Sequence, residues 1–150
     1  MVRSMEGKRQ QYFEATLQLR NVEKELISFV ENEIIRAKIH VAKKDKVKNG
    51  YDYQLADNRF TQSLGKKLQQ TAGGELAVTS SLFSQKDGKD IYRVTVLFRQ
   101  AGFKKGDDVI YQGEEFNVKS IGKDILLVGI SKPTKMHVKY KDMRRIKKKL

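Results

Sequence analysis

The apolar residues of this chain switch repeatedly between two spacings over the first hundred positions. Phe13, Ala15, Leu17 and Leu19 alternate with Tyr12, Glu14, Thr16, Gln18 and Arg20. Period two is the pattern of a half-buried strand. Leu26, Phe29, Val30, Ile34 and Ala37 then recur at helical spacing, which predicts an amphipathic helix over 22–38 with Asn21 as its N-cap. Glu23 and Glu25 suit the positive end of its dipole. Lys43–Lys48 reads as a basic linker, Asn49-Gly50 as a turn or bulge, and Tyr51, Tyr53 and Leu55 as a second strand. Asp57 caps a second helix with Phe60, Leu64 and Leu68 on one stripe, stopped by Gly73-Gly74. Residues 75–84 and 90–99 form two strands around Asp87-Gly88, with Tyr92, Val94, Val96 and Phe98 sharing a face. The expected order is β-α-β-α-β-β, an α+β domain over residues 8–100. Two helices would cover one face of a mixed, largely antiparallel sheet. The other face would carry Arg, Thr, Gln and apolar residues.

Beyond residue 101 the pattern changes. Gly102, Gly106, Gly113, Gly122 and Gly129 divide short apolar pieces at Val109–Tyr111, Phe116–Ile121, Ile125–Ile130 and Met136–Tyr140. Short strands with glycine turns at this spacing predict a small SH3-like or OB-like β-barrel over 103–146, followed by a basic end to residue 150. A barrel of that size is marginal alone and is expected to pack on the first domain. Residues 1–9 read as a frayed polar start.

Charge then narrows the function. The chain has 150 residues and a net charge of +13. Residues 131–150 hold nine basic residues and one acid, a net of +8, whereas residues 1–130 hold 22 basic and 17 acidic, a net of +5. A nearly balanced body with a strongly basic end points to a polyanionic partner. There is no Cys, which excludes disulfides, thiolate zinc sites and thiol nucleophiles within these residues and fits a reducing, cytoplasmic setting. No apolar run is long enough to span a bilayer. No catalytic set, phosphate-cradling loop or metal spacing is present around His40 and His137, so neither an enzyme nor a cofactor is expected. Asp107-Asp108 reads as a solvated turn rather than a metal site, and His137 as an outward strand residue.

The candidate nucleic-acid contacts are basic. Lys135, Lys139, Lys141, Arg144, Arg145, Lys147, Lys148 and Lys149, with Lys132 beside them, form the main set. Arg144 and Arg145 offer planar forks for phosphate, and the lysines offer point charges. Arg20, Arg93 and Arg99 lie on predicted strands and form a second set, with Tyr12 placed to stack on a base. An arginine-lined open sheet face or a domain interface explains that second set equally well. The Lys43–Lys48 run reads as a solvated loop or an RNA-backbone contact.

Three stretches carry a resemblance: Tyr12–Arg20 (YFEATLQLR), Asn49–Asp57 (NGYDYQLAD) and Lys86–Arg99 (KDGKDIYRVTVLFR). Their order and spacing resemble the middle region of the archaeal branch of the nonsense-mediated mRNA decay protein 3 family. The eukaryotic member of that family is the nuclear export adaptor of the large ribosomal subunit. The resemblance covers residues 10–100, and Gly106–Val109 with Phe116–Ile130 is similar to the barrel that follows in the family. It implies an α+β region like a large-subunit ribosomal protein, a barrel like the hypusine-bearing elongation factor, and docking on the joining face of the large subunit. Non-catalytic binding of rRNA and the large ribosomal subunit in biogenesis or quality control is the function it implies. A module recognising ribosomal proteins or another translation factor is the alternative, and an RNA-processing enzyme a more distant one. The family begins with paired Cys-x-x-Cys motifs that hold zinc. This sequence has none, so no metal site carries over.

Overall fold

The structure is a computed structural model that describes residues 11–149, with Lys86 described by its backbone alone. The expected start at residue 8, the frayed segment 1–9 and Leu150 lie outside or at the margin of the described residues.

The first sheet has five strands in the order β2-β3-β1-β5-β4: β1 (Ala15–Arg20), β2 (Val41–Val47), β3 (Gly50–Leu55), β4 (Gly74–Lys86) and β5 (Lys89–Gln100). Helices α1 (Lys24–Arg36) and α2 (Asn58–Ala72) complete it. Only β1 and β5 run parallel, with Ala15 opposite Val94 and Arg20 opposite Arg99. Ala15, Leu17 and Leu19 of β1 meet Leu55, Tyr53 and Tyr51 of β3 on one face. There they pack with Leu26, Val30 and Ile34 of α1, Leu64 and Leu68 of α2, and Val94, Val96 and Phe98 of β5. The period-two and period-3.6 stripes of the sequence therefore converge on one core. The helix-free face carries Thr16, Gln18, Arg20, Asp52, Gln54, Thr95, Leu97 and Arg99, as expected of it.

The strand-and-helix order corrects the expected one. Lys43–Lys48 is not a linker. Val41–Val47 is an edge strand paired with β3, giving β-α-β-β-α-β-β. Its lysines stay exposed while its backbone pairs with β3, the usual composition of a protected edge strand. Asn21 does not cap α1. It takes a left-handed backbone (φ 55), its N–H bonding Asn49 O at 2.7 Å, and Glu23 becomes the N-cap. Asp57 does cap α2, its carboxylate accepting from Phe60 N at 2.9 Å. Gly73, at φ 75, ends that helix. Gly50 is required by close approach, since a Cβ there would fall 1.7 Å from Leu19 O.

The second sheet contains β6 (Asp108–Tyr111), β7 (Glu114–Ile121), β8 (Ile125–Gly129), β9 (Lys135–Val138) and β10 (Lys147–Lys148), in the order β10-β6-β7-β8-β9. All its pairs are antiparallel. The expected barrel is not closed: β9 and β10 end the sheet at opposite edges with no ladder between them. The strand expected to run to Tyr140 stops at Val138, and a 3-10 helix follows over Tyr140–Arg145. Met143 and Ile146 are buried with Phe103, Val109, Phe116, Val118, Ile125 and Leu127 in a second core. Those two anchors turn what reads as a basic tail into an ordered return strand.

Several contacts join the two cores. Ala101 N donates to Gly73 O at 3.3 Å. Lys104 and Glu23 pair at 3.2 Å. A Cβ at Gly73 would lie 2.6 Å from Ile121 Cγ2, so the end of α2 abuts the second sheet directly. The 3-10 helix packs against β4. No helix among the described residues is long and apolar enough to cross a membrane.

Candidate nucleic-acid interface

The basic end is presented by three consecutive pieces of backbone. Lys135 lies in β9, where alternation turns Lys135 and His137 outward while Val138 is buried. Lys139 caps the 3-10 helix, which carries Lys141, Arg144 and Arg145 around the buried Met143. Lys147, Lys148 and Lys149 follow the buried Ile146, and Lys147 and Lys148 pair with Ile110 and Val109 of β6. Every one of these eight cations is exposed. Burial of Val138, Met143 and Ile146 thus fixes the backbone that displays them.

Part of the charge is held locally. Lys149 pairs with Glu115 at 3.0 Å, Lys148 with Asp107 at 3.7 Å and Arg145 with Asp142 at 3.9 Å. Lys135, Lys139, Lys141, Arg144 and Lys147 have no ion-pair partner among the described residues. Exposed pairs of this kind are weak and salt-screened, so they do not prevent the cations from meeting phosphates. His137 Nδ1 lies 3.1 Å from Asp124 at the surface. Asp107 accepts from Lys104 N at 2.8 Å and Asp108 from Asn117 at 3.0 Å, so both carboxylates of that pair serve the turn.

The arginines of the first sheet stand in a different environment. Arg20 is half-buried and reaches Asp52 at 2.7 Å, with further bonds to the carbonyls of Leu19 and Tyr51. Arg99 lies 3.7 Å from Glu75, an ion pair without a hydrogen bond. Arg93 is clamped between two rings, 3.7 Å from the centre of Phe13 and 3.5 Å from that of Phe83, while its Nε donates to Phe13 O at 3.1 Å. Burial lowers its pKa. The fold brings Arg20 and Arg99 together across the β1–β5 ladder. Arg93 is six residues along the same strand, roughly 20 Å away. Tyr12 donates to Glu14 at 2.5 Å, and it is the neighbouring Phe13 that stacks on Arg93.

Lys44 of β2 is also engaged within the chain. Lys44 meets Glu31 at 2.5 Å and lies over the Tyr51 ring at 4.9 Å. Tyr53 donates to the same carboxylate at 2.7 Å. The Lys44 and Tyr53 hydrogen bonds hold the Glu31 carboxyl below its ordinary pKa. Burial, and then Glu31 itself, push the Tyr53 phenol upward.

Sequence periodicity gives the β4–β5 hairpin, expected as strands over 75–84 and 90–99, but not that its outer half stands clear of β1. The two strands run well past β1, which ends its pairing at Val94. Leu82 and Phe83 are 56% and 51% exposed, and Val78, Ile91 and Tyr92 are exposed with them. No charged residue occurs from Leu76 to Gln85. An exposed, neutral strand at a sheet edge is unusual and suits contact with another protein. The signal in the sequence is the long uncharged run on β4, in a chain that is otherwise rich in lysine.

No curated protein matches the chain. A family model described as NMD3, second domain, matches residues 12–99. The matched stretch coincides with the first sheet and its two helices, and the basic end lies beyond it. That match spans more than half of the chain, and the chain belongs to the NMD3 family.

Proposed function

We propose that this protein binds rRNA of the large ribosomal subunit without catalysis, acting in subunit biogenesis or quality control. Membership in the NMD3 family supports involvement with large-subunit biogenesis. The single observation that carries the RNA reading is the basic end: eight exposed cations on a backbone anchored by Val138, Met143 and Ile146. Lys135, Lys139, Lys141, Arg144, Arg145, Lys147, Lys148 and Lys149 make the phosphate contacts in this reading, with charge leading the encounter and shape setting position. Arg20, Arg93 and Arg99 form a second proposed set, already held by Asp52, the two phenylalanine rings and Glu75. In this reading the chain divides into an α+β domain over 8–100 and a second over 103–146, and the protein works in the cytoplasm.

The exposed arm at Leu82 and Phe83 favours a second reading, a protein-interaction module that recognises ribosomal proteins or another factor through the β4 edge. Co-sedimentation with isolated large and small subunits across a salt series separates the readings. Selective, salt-sensitive binding to the large subunit supports the RNA reading. Binding that is indifferent to salt and lost on Phe83→Ser supports the protein module, and absence of binding at any salt removes both.

A further inference from the structure

A shallow groove lies across the outer face of the second sheet, apart from the 3-10 helix and β10. Its volume is about 470 Å³, and Lys105, Gly106, Asn117, Lys119, Val128 and Ile130 define it. The floor is apolar: Val128 is half-buried and Ile130 is exposed. Lys105 and Lys119 rise on one side, both exposed and both without an ion-pair partner among the described residues. On the other side Lys135 stands opposite Val128 in the β8–β9 register. No carboxylate lines the groove. Asp108, the nearest acid on β6, is engaged by Asn117, whose amide also donates to Gly106 O at 2.9 Å.

Four features limit what fits. The rims are cationic, so the partner carries negative charge. The floor is aliphatic, so the partner also brings apolar side chains. No aromatic ring lines the groove, which removes the stacking platform on which single-stranded nucleic acid depends. The groove is also open along its length, whereas small-molecule sites enclose most of their ligand. We propose that it binds a short extended peptide in which acidic and apolar side chains alternate. Alternate residues of an extended chain face opposite sides. With the apolar set on Val128 and Ile130, rotation of the chain about its axis turns the carboxylate row toward the margin that carries Lys105 and Lys119.

The test uses the full chain and a capped seven-residue peptide, Glu-Leu-Glu-Val-Glu-Leu-Glu, followed by amide chemical shifts. Two further probes run beside it: the same peptide with serine at its apolar positions, and octauridylate. The expected result is a set of shifts confined to Lys105–Gly106, Asn117–Lys119 and Val128–Ile130. Lys105→Glu with Lys119→Glu weakens binding by about tenfold, as two exposed charge reversals do. Ile130→Ser, an exposed position that leaves the charge intact, weakens it by roughly threefold or more. Equal affinity for the serine peptide overturns the proposal, because charge alone then suffices. Shifts centred on Lys139–Lys149 overturn it as well, as does octauridylate occupying the groove more tightly than the peptide. These results bear on the groove alone and leave the RNA reading of the basic end to its own test.

Discussion

Arg93 stacks on Phe83, with 3.5 Å between its guanidinium carbon and the ring centre. The other face of the guanidinium meets Phe13, so one side chain ties the entry to β1 to the base of the exposed arm. A cation between two rings at a partly exposed site is worth about 0.5–1 kcal/mol per ring. A double-mutant cycle of Arg93→Ala and Phe83→Ala in urea should show a coupling of that size. Additive losses would mean that the stack contributes nothing.

The Gly50–Leu19 approach leaves no room for a side chain. Gly50→Ala should cost roughly 3 kcal/mol, because the obstacle is a backbone carbonyl that cannot rotate away. Gly65→Ala meets side-chain atoms instead, Val96 Cγ1 at 2.7 Å and Leu76 Cδ1 at 3.0 Å. Its loss should be smaller, about 1–2 kcal/mol. Equilibrium unfolding of the two variants gives the ranking directly, and the reverse order would contradict the structure.

Stability should depend on pH through the Glu31–Tyr53 pair. The folded state holds the Glu31 carboxyl below 4.5, chiefly through Lys44 and Tyr53. Its stabilisation is therefore present above that pH and disappears as pH falls through the lower folded value. Tyr53 shifts upward from 10.0, so its contribution is present below pH 10 and declines as pH rises beyond it. Glu31→Gln should flatten the acid limb of the melting-temperature profile, and Tyr53→Phe the alkaline limb. Unchanged limbs would show that the pair contributes no stability.

Ile146 is the buried anchor next to β10. Ile146→Ala should destabilise the second core by roughly 2–4 kcal/mol. It should also raise amide exchange at Lys149, whose N–H bonds Asp108 O at 3.0 Å. Retained protection there would mean that β10 is held by its ladder rather than by the buried side chain.

Much of the first sheet was legible because its periods are clean. Leu17, Leu19, Leu26, Val30, Ile34, Leu64, Leu68, Val96 and Phe98 are core residues both by pattern and in the fold. Strand β2 was not legible, since an edge strand rich in lysine has the composition of a solvated loop and is specified by its pairing with β3. The open edge of the second sheet escapes the sequence for a related reason. Glycine spacing gives strand lengths, whereas closure depends on ladders that β9 and β10 do not form with each other. Among the candidate residues, charge clustering identified the basic end. It could not show that Arg93 is enclosed by rings at positions 13 and 83, a contact that depends on strand register across the sheet. Nor does any local pattern place Lys105 and Lys119 beside Val128 and Ile130, since that groove exists only once β7 and β8 have paired.

The proposed large-subunit contact lies on the basic end. Its most direct test is the salt dependence of large-subunit affinity for the natural chain and for a variant with Arg144, Arg145, Lys147, Lys148 and Lys149 reversed to glutamate. If about six cations meet phosphates, log affinity falls with log salt at a slope of about −5 for the natural chain, and the variant binds more weakly with a much shallower slope. Equal slopes and equal affinities for the two proteins would contradict the account.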